Sequence, residues 1–174
     1  DLADALRTMG ARIETTAGKP PVRIVGSELR AAEHRPVRAS AQTKSALLLA
    51  GLQAGRGRTV VHEPYFTRDH TETMLRAAGA PVRRSGRSVS VSPVESLRLD
   101  AVQVPGDVSS AAPFLAASTL VPGSELSIHG VGVNPFRSGL LDVLARMGAR
   151  ISIFDRRRAG GEAVADLESR AAPL

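Results

Sequence analysis

One phrase occurs three times in this chain at a fixed spacing: Leu6-Arg-Thr-Met-Gly-Ala-Arg-Ile13, Leu75-Arg-Ala-Ala-Gly-Ala-Pro-Val82 and Leu144-Ala-Arg-Met-Gly-Ala-Arg-Ile151. Its glycines, Gly10, Gly79 and Gly148, follow one another at intervals of 69 residues. A register kept over two intervals means that the chain is made of copies of one structural unit. Each copy reads as the end of a helix running into a strand. The glycine stops the helix because it enters the left-handed backbone region without a Cβ clash. Ile13, Val82 and Ile151 then begin strands.

The register extends upstream in the last two copies, where Ser40 matches Ser109 and Arg68 matches Arg137. Behind each serine lies an alanine-rich apolar segment, 41–54 and 110–121, predicting two buried helices. Pro113 fits the second of them only in its first turn. Asp69-His-Thr-Glu72 has the form of a helix-start box, with the N-cap at Asp69 or one or two residues earlier. Asn134-Pro135 reads as a cap and a first helical residue. The strand candidates are 23–25, 59–62, 88–91, 97–99, 125–129 and 151–154, most of them alternating or β-branched. The unit is thus a strand, a helix, a strand, a second helix and one or two more strands, which is an α/β arrangement. A period this long exceeds that of the common solenoids. Only the tail of the first copy is present, so the chain is expected to begin inside a larger protein.

Composition narrows the chemistry. The 174 residues suit one or two domains. Aromatic residues make up only 3%, so the core must be aliphatic. Cysteine is absent, which excludes disulfides and thiolate metal sites and fits a reducing cytoplasm, the expected location. No apolar run approaches the roughly 20 residues that span a membrane. The net charge of +6 comes largely from arginine clusters at 56 and 58, at 83, 84 and 87, and at 156–158. They read as solvated loop arginines, as a phosphate-backbone surface, or as a site for a small anion. The scarcity of stacking aromatics weakens the nucleic-acid reading.

Three stretches carry candidate chemistry. In Ser40-Ala-Gln-Thr-Lys-Ser45 a helix begins, and free backbone N–H groups with the helix dipole favour an anion there. Ser40 and Gln42 add neutral donors. Lys44 either adds charge or points into solvent. The plainer alternative is that Ser40 only caps a core helix. Arg68, at a strand-to-helix turn, offers a fork of donors suited to phosphate or carboxylate, or forms a structural pair with Asp69. His70 reads as a solvent-facing or satisfied histidine rather than a general base. Asp107 opposes an anion at the third stretch, Val104 to Phe114, where it caps the helix or contacts hydroxyls.

Four blocks together resemble the 5-enolpyruvylshikimate-3-phosphate synthase family, the 3-phosphoshikimate 1-carboxyvinyltransferases. They are Ser40-Ala-Gln-Thr-Lys-Ser-Ala-Leu-Leu-Leu-Ala-Gly-Leu52, Thr67-Arg-Asp-His-Thr-Glu72, Val104-Pro-Gly-Asp-Val-Ser-Ser-Ala-Ala112, and Asn134-Pro-Phe-Arg-Ser-Gly139 followed by Leu144 to Ile151. The sister family that acts on UDP-N-acetylglucosamine lacks the first block. The resemblance implies an inside-out α/β barrel of repeated βαβαββ units, incomplete here. Residues 1–102 would be the later part of one domain and residues 103–174 the first unit of the next, with the crossover near Gln103–Pro105.

The resemblance further implies transfer of the enolpyruvyl group of phosphoenolpyruvate to the 5-hydroxyl of shikimate 3-phosphate. The reaction releases phosphate and uses no metal or organic cofactor. It belongs to aromatic amino-acid synthesis, and the family is the target of glyphosate. By motif, Ser40, Ala41, Gln42 and Arg68 are the expected shikimate 3-phosphate contacts, and Gln42 also reaches the enolpyruvyl donor. Asn134 and Arg137 are read as capping and local pairing. The donor loop should lie upstream of Asp1. The proton-transfer residues and donor-clamping arginines should lie beyond Leu174. No catalytic residue is therefore expected in this stretch, which should be inactive alone and prone to oligomerisation or exchange of units. The rival expectation is a non-catalytic repeat module that binds anions or nucleic acid through its arginines.

Overall fold

A computed structural model describes residues 2–173. The chain divides into two compact units, Asp1–Leu99 and Asp100–Leu174. The first holds α1 (Leu2–Thr8), β1 (Arg12–Thr16), β2 (Lys19–Val25), β3 (Glu33–His34), α2 (Ala41–Leu52), β4 (Thr59–His62), α3 (His70–Ala77), β5 (Val82–Ser85) and β6 (Ser88–Val91). The second holds α4 (Val108–Leu120), β7 (Glu125–Gly132), α5 (Gly139–Arg146), β8 (Arg150–Ala159) and β9 (Glu162–Arg170).

The repeat is visible in the backbone. Helices α3 and α5 occupy corresponding residues 69 apart, and Gly10, Gly79 and Gly148 have φ of 98°, 85° and 100°. Side chains rarely adopt that conformation, which explains the glycine in every copy.

In the first unit the sheet order is β3-β4-β6-β5. Strands β3 and β4 run parallel, and the other pairs are antiparallel. Helix α2 lies on this sheet and is apolar on nearly every side, burying Leu47, Leu48, Ala50 and Leu52. Those residues join Val61, Leu75, Val89 and Val91 in the core. Gly51 lets the helix come close. A Cβ there would sit 2.6 Å from the Thr59 Cβ. The second unit has a β7-β9-β8 sheet, with a core of α4, β7 and β9 residues that includes Leu115, Val131 and Leu167. Gly106 and Val131 form a single parallel bridge in the second unit.

Four expectations are corrected. Residues 97–99 form no strand. Arg98 N–H makes one bond to Ala78 O, and Leu97 and Leu99 are exposed. Helix α4 starts at Val108, so Pro113 falls in its second turn rather than its first. Asn134 does not cap α5. Its Oδ1 accepts from Phe136 N–H at 2.9 Å and closes a turn, and the helix begins only at Gly139. Asp69 is the N-cap residue of α3 but makes no side-chain cap bond, so the helix-start box does not form. Its acidic partner, Glu72, is turned into the interior instead.

Candidate functional site

The start of α2 is built by Ser40. Its backbone is extended, and its Oγ accepts from Thr43 N–H at 3.2 Å. Lys44 N–H reaches Ser40 O at 3.0 Å. Among the described residues the first-turn N–H groups of Ala41 and Gln42 have no intrahelical partner at the positive end of the helix, the usual condition for holding an anion. Ser40 therefore both caps the helix and keeps its hydroxyl at the site, 3.4 Å from Gln42 Oε1. Gln42 is exposed, while Ser40 and Ala41 are half-buried. An open groove of about 860 Å3, lined in part by Ser40, Thr43, Arg35 and Arg38, runs to this helix start. Arg68 and Gln42 do not line that groove.

Arg68 stands in the turn before α3 and is half-buried. Among the described residues it makes no hydrogen bond and no ion pair, so the alternative of a structural pair with Asp69 does not form.

The corresponding place in the second unit is occupied from within. Arg137 Nη2 donates to Ser109 Oγ at 2.6 Å and lies 2.9 Å from Asp107 Oδ1. Asp107 also caps α4, taking Ser109 N–H at 3.1 Å and Ser110 O–H at 3.2 Å. The Ser109 amide, with Arg137 and Ser110 beside it, holds this carboxyl below its ordinary range. A carboxylate of the chain thus fills the helix start that Ser40 and Arg68 leave open. By the repeat, Asp107 corresponds to Arg38, a cation.

Beneath the first site lies a cluster that the sequence reading missed. Lys44 does not point into solvent. It is 1% exposed, with Nζ 3.0 Å from Glu63 Oε1 and 2.8 Å from Glu72 Oε1. Arg84 closes the cluster at 3.0 Å from Glu63 Oε2 and 2.7 Å from Glu72 Oε1. Glu63 Oε1 also accepts from the N–H of Thr67, at 3.1 Å, and from its hydroxyl. Burial pushes the Glu63 carboxyl up, but the Thr67 bond, Lys44 and Arg84 outweigh it and hold the group below its ordinary range. A signal for this cluster was present in the sequence. Lys44 shares the helical spacing of Leu47, Leu48 and Gly51, and Glu72 that of Leu75, so both charges sit on core faces.

The family model described as EPSP synthase (3-phosphoshikimate 1-carboxyvinyltransferase) matches residues 1–171. The chain belongs to the EPSP synthase family. It is 49% identical over 173 residues to the 3-phosphoshikimate 1-carboxyvinyltransferase of Acidithiobacillus ferrooxidans, covering 99% of this chain and 40% of that protein. The Gloeobacter violaceus enzyme of the same name is 52% identical over 171 residues, covering 97% of this chain and 39% of the relative. The solved EPSP synthase from Acinetobacter baumannii superposes with a TM-score of 0.90 at 43% identity, covering 98% of this chain and 39% of that one. The enolpyruvyl transferase NikO from Streptomyces tendae, at 20% identity and a TM-score of 0.73, shares the fold. The chain spans about 40% of the length of these relatives.

Within the EPSP synthase family's α/β fold, then, this stretch carries part of the whole. Its arginine clusters are only partly free. Arg84 belongs to the buried cluster and lies over the Phe66 ring, 5.7 Å from its centroid. Arg157 pairs with Asp155 and Asp166. These pairings remove two arginines from any basic surface. No helix among the described residues is long and apolar enough to cross a membrane.

Proposed function

We propose that the chain supplies a shikimate 3-phosphate half-site to an enzyme that transfers the enolpyruvyl group of phosphoenolpyruvate. In that reaction the substrate's 5-hydroxyl adds to the enol carbon of the donor, and phosphate leaves as the enol ether forms. Ser40, Ala41 and Gln42 bind the substrate through the open start of α2, and Arg68 takes its phosphate ester. The observation that carries this reading is Arg68, half-buried and without a hydrogen bond or ion pair among the described residues, at the repeat position where Arg137 meets Ser109 in the second unit, together with the open start of α2, in a chain of the EPSP synthase family. The repeat supports it, because the same place in the second unit already holds a carboxylate.

Residues 1–102 are assigned to the later part of the first domain and residues 103–174 to the first unit of the second. The division of the chain at Leu99 and Asp100 supports this. Leu140 and Val143 on α5, with Met147 just past its end, leave apolar surface exposed, which supports self-association of the 174-residue chain. A monomer in light scattering at high concentration would contradict that part.

Thermal melting tests the substrate reading. Shikimate 3-phosphate should raise the melting temperature of the chain, and duplex DNA should not. Arg68→Ala should remove the shift, and Arg157→Ala should leave it. A shift with DNA alone would favour the nucleic-acid module instead. A phosphate-release assay with phosphoenolpyruvate and shikimate 3-phosphate should show no turnover by the 174 residues alone.

A further inference from the structure

The buried cluster joins the parts that carry the proposed site. Lys44 is on α2, two residues beyond Gln42. Glu63 binds the Thr67 N–H and hydroxyl and so closes the turn that ends at Arg68. Glu72 is in the first turn of α3, directly after that turn. Ser45 Oγ and Thr71 Oγ1, 2.6 Å apart, tie α2 to α3 a second time. Lys44 Nζ faces two carboxylates at 1% exposure, so it is not available to an incoming anion.

Burying two carboxylates and a lysine, with a partly exposed arginine against them, is a poor route to stability, since well-packed apolar residues do as well or better. The second unit lacks such a cluster: of the four corresponding positions only one is buried, and the counterpart of Lys44 is exposed. The residues that correspond by the repeat to Lys44, Glu63, Glu72 and Arg84 are Pro113, Gly132, Leu141 and Ile153. Leu141 is 5% exposed in the core there, and α5 forms over the same span as α3. The frame therefore does not need the charges. They supply something that apolar packing lacks, which is directional contacts that fix one element against another.

We propose that Lys44 is a positioning residue for the anion site: held between Glu63 and Glu72, it sets the start of α2 against the turn that carries Arg68. This rests on the substrate reading of that site. The prediction is that the helix start and Arg68 lose their mutual alignment when the ammonium is removed, even in a folded protein.

The test measures shikimate 3-phosphate affinity by calorimetry, and folding by circular dichroism, for the 174-residue chain, for Lys44→Met and for Lys44→Met with Glu72→Leu. The double variant removes one charge of each sign and restores the leucine found in the second unit. A structural role predicts that stability and affinity recover together in the double variant. The positioning role predicts that stability recovers while affinity stays about tenfold or more below that of the parent. Unchanged affinity in the folded double variant would overturn the proposal and leave the substrate reading intact. Loss of folding in both variants would overturn it too, by making the cluster a stability element. If the parent chain binds no shikimate 3-phosphate, the substrate reading fails and this inference fails with it.

Discussion

Where the first unit buries Lys44, Glu63 and Glu72, the second has Pro113, Gly132 and Leu141. Where the first leaves Arg68 without a hydrogen bond or ion pair among the described residues, the second closes Arg137 onto Ser109 and Asp107. Helices α3 and α5 nevertheless coincide in the repeat, and both units place a helix on a sheet. One backbone plan thus accommodates a buried charge cluster or none, and an open or a filled helix start. Function follows from which version is present. A self-filled start is satisfied and inert, because its carboxylate already occupies the N–H groups and the guanidinium. On the proposed reading, an open start above the charged cluster keeps its capacity for an anion.

The largest expected effect lies in the cluster. Lys44→Met leaves two buried carboxylates with one cation and should cost about 3–5 kcal/mol. Adding Glu72→Leu should return most of that. Denaturant unfolding measures both, and a single variant as stable as the parent would show the charges to be dispensable even when unbalanced.

Next is the helix–sheet approach. Gly51 meets Thr59 closely, whereas the corresponding Leu120 in the second unit is 64% exposed. Gly51→Leu should therefore cost about 3 kcal/mol through overpacking, and Leu120→Gly about 1 kcal/mol through helix propensity. Equal costs would mean that the two helices sit alike on their sheets.

Acid should separate the two interiors more gently. Glu63 is held below the ordinary glutamate value of 4.5 in the folded chain. Its contribution is fully present above that value and is lost as pH falls through the lowered folded pKa. Melting followed from pH 6 downward should show stability falling in the acid range, and Glu63→Gln should flatten the fall. A slope unchanged by Glu63→Gln would assign the acid sensitivity elsewhere. Asp166 is a candidate. Gly130 N–H, His129 and Arg157 hold its carboxyl low in the second unit.

Much of this frame was legible in the sequence. The glycine period gave the units, because a residue that must adopt positive φ is hard to replace. Apolar spacing gave α2 and β4, because burial sets it. Some elements were not legible. Residues 97–99 alternate like a strand, but a strand also needs a neighbour, and β6 ends at Val91 just before Pro93, which has no N–H to donate. Pro113 misled because the repeat placed the helix start at Ser109, while Asp107 captures the chain two residues earlier. At the site, Ser40 and Arg68 stood out as donor types at element ends. The direction of Lys44 did not, because the period relates positions and says nothing of which partners lie across the fold. Its alignment with Leu47, Leu48 and Gly51 was the available clue. A cation on an apolar face requires a buried carboxylate, and Glu63 and Glu72 supply two.

The two helix starts differ in being open and filled. The most direct measurement is an amide 1H–15N spectrum of the chain titrated with shikimate 3-phosphate. The Ala41 and Gln42 amides should move with saturation, while those of Ser109 and Ser110 stay in place. Equal movement at both starts, or movement at Ser109 alone, would contradict it.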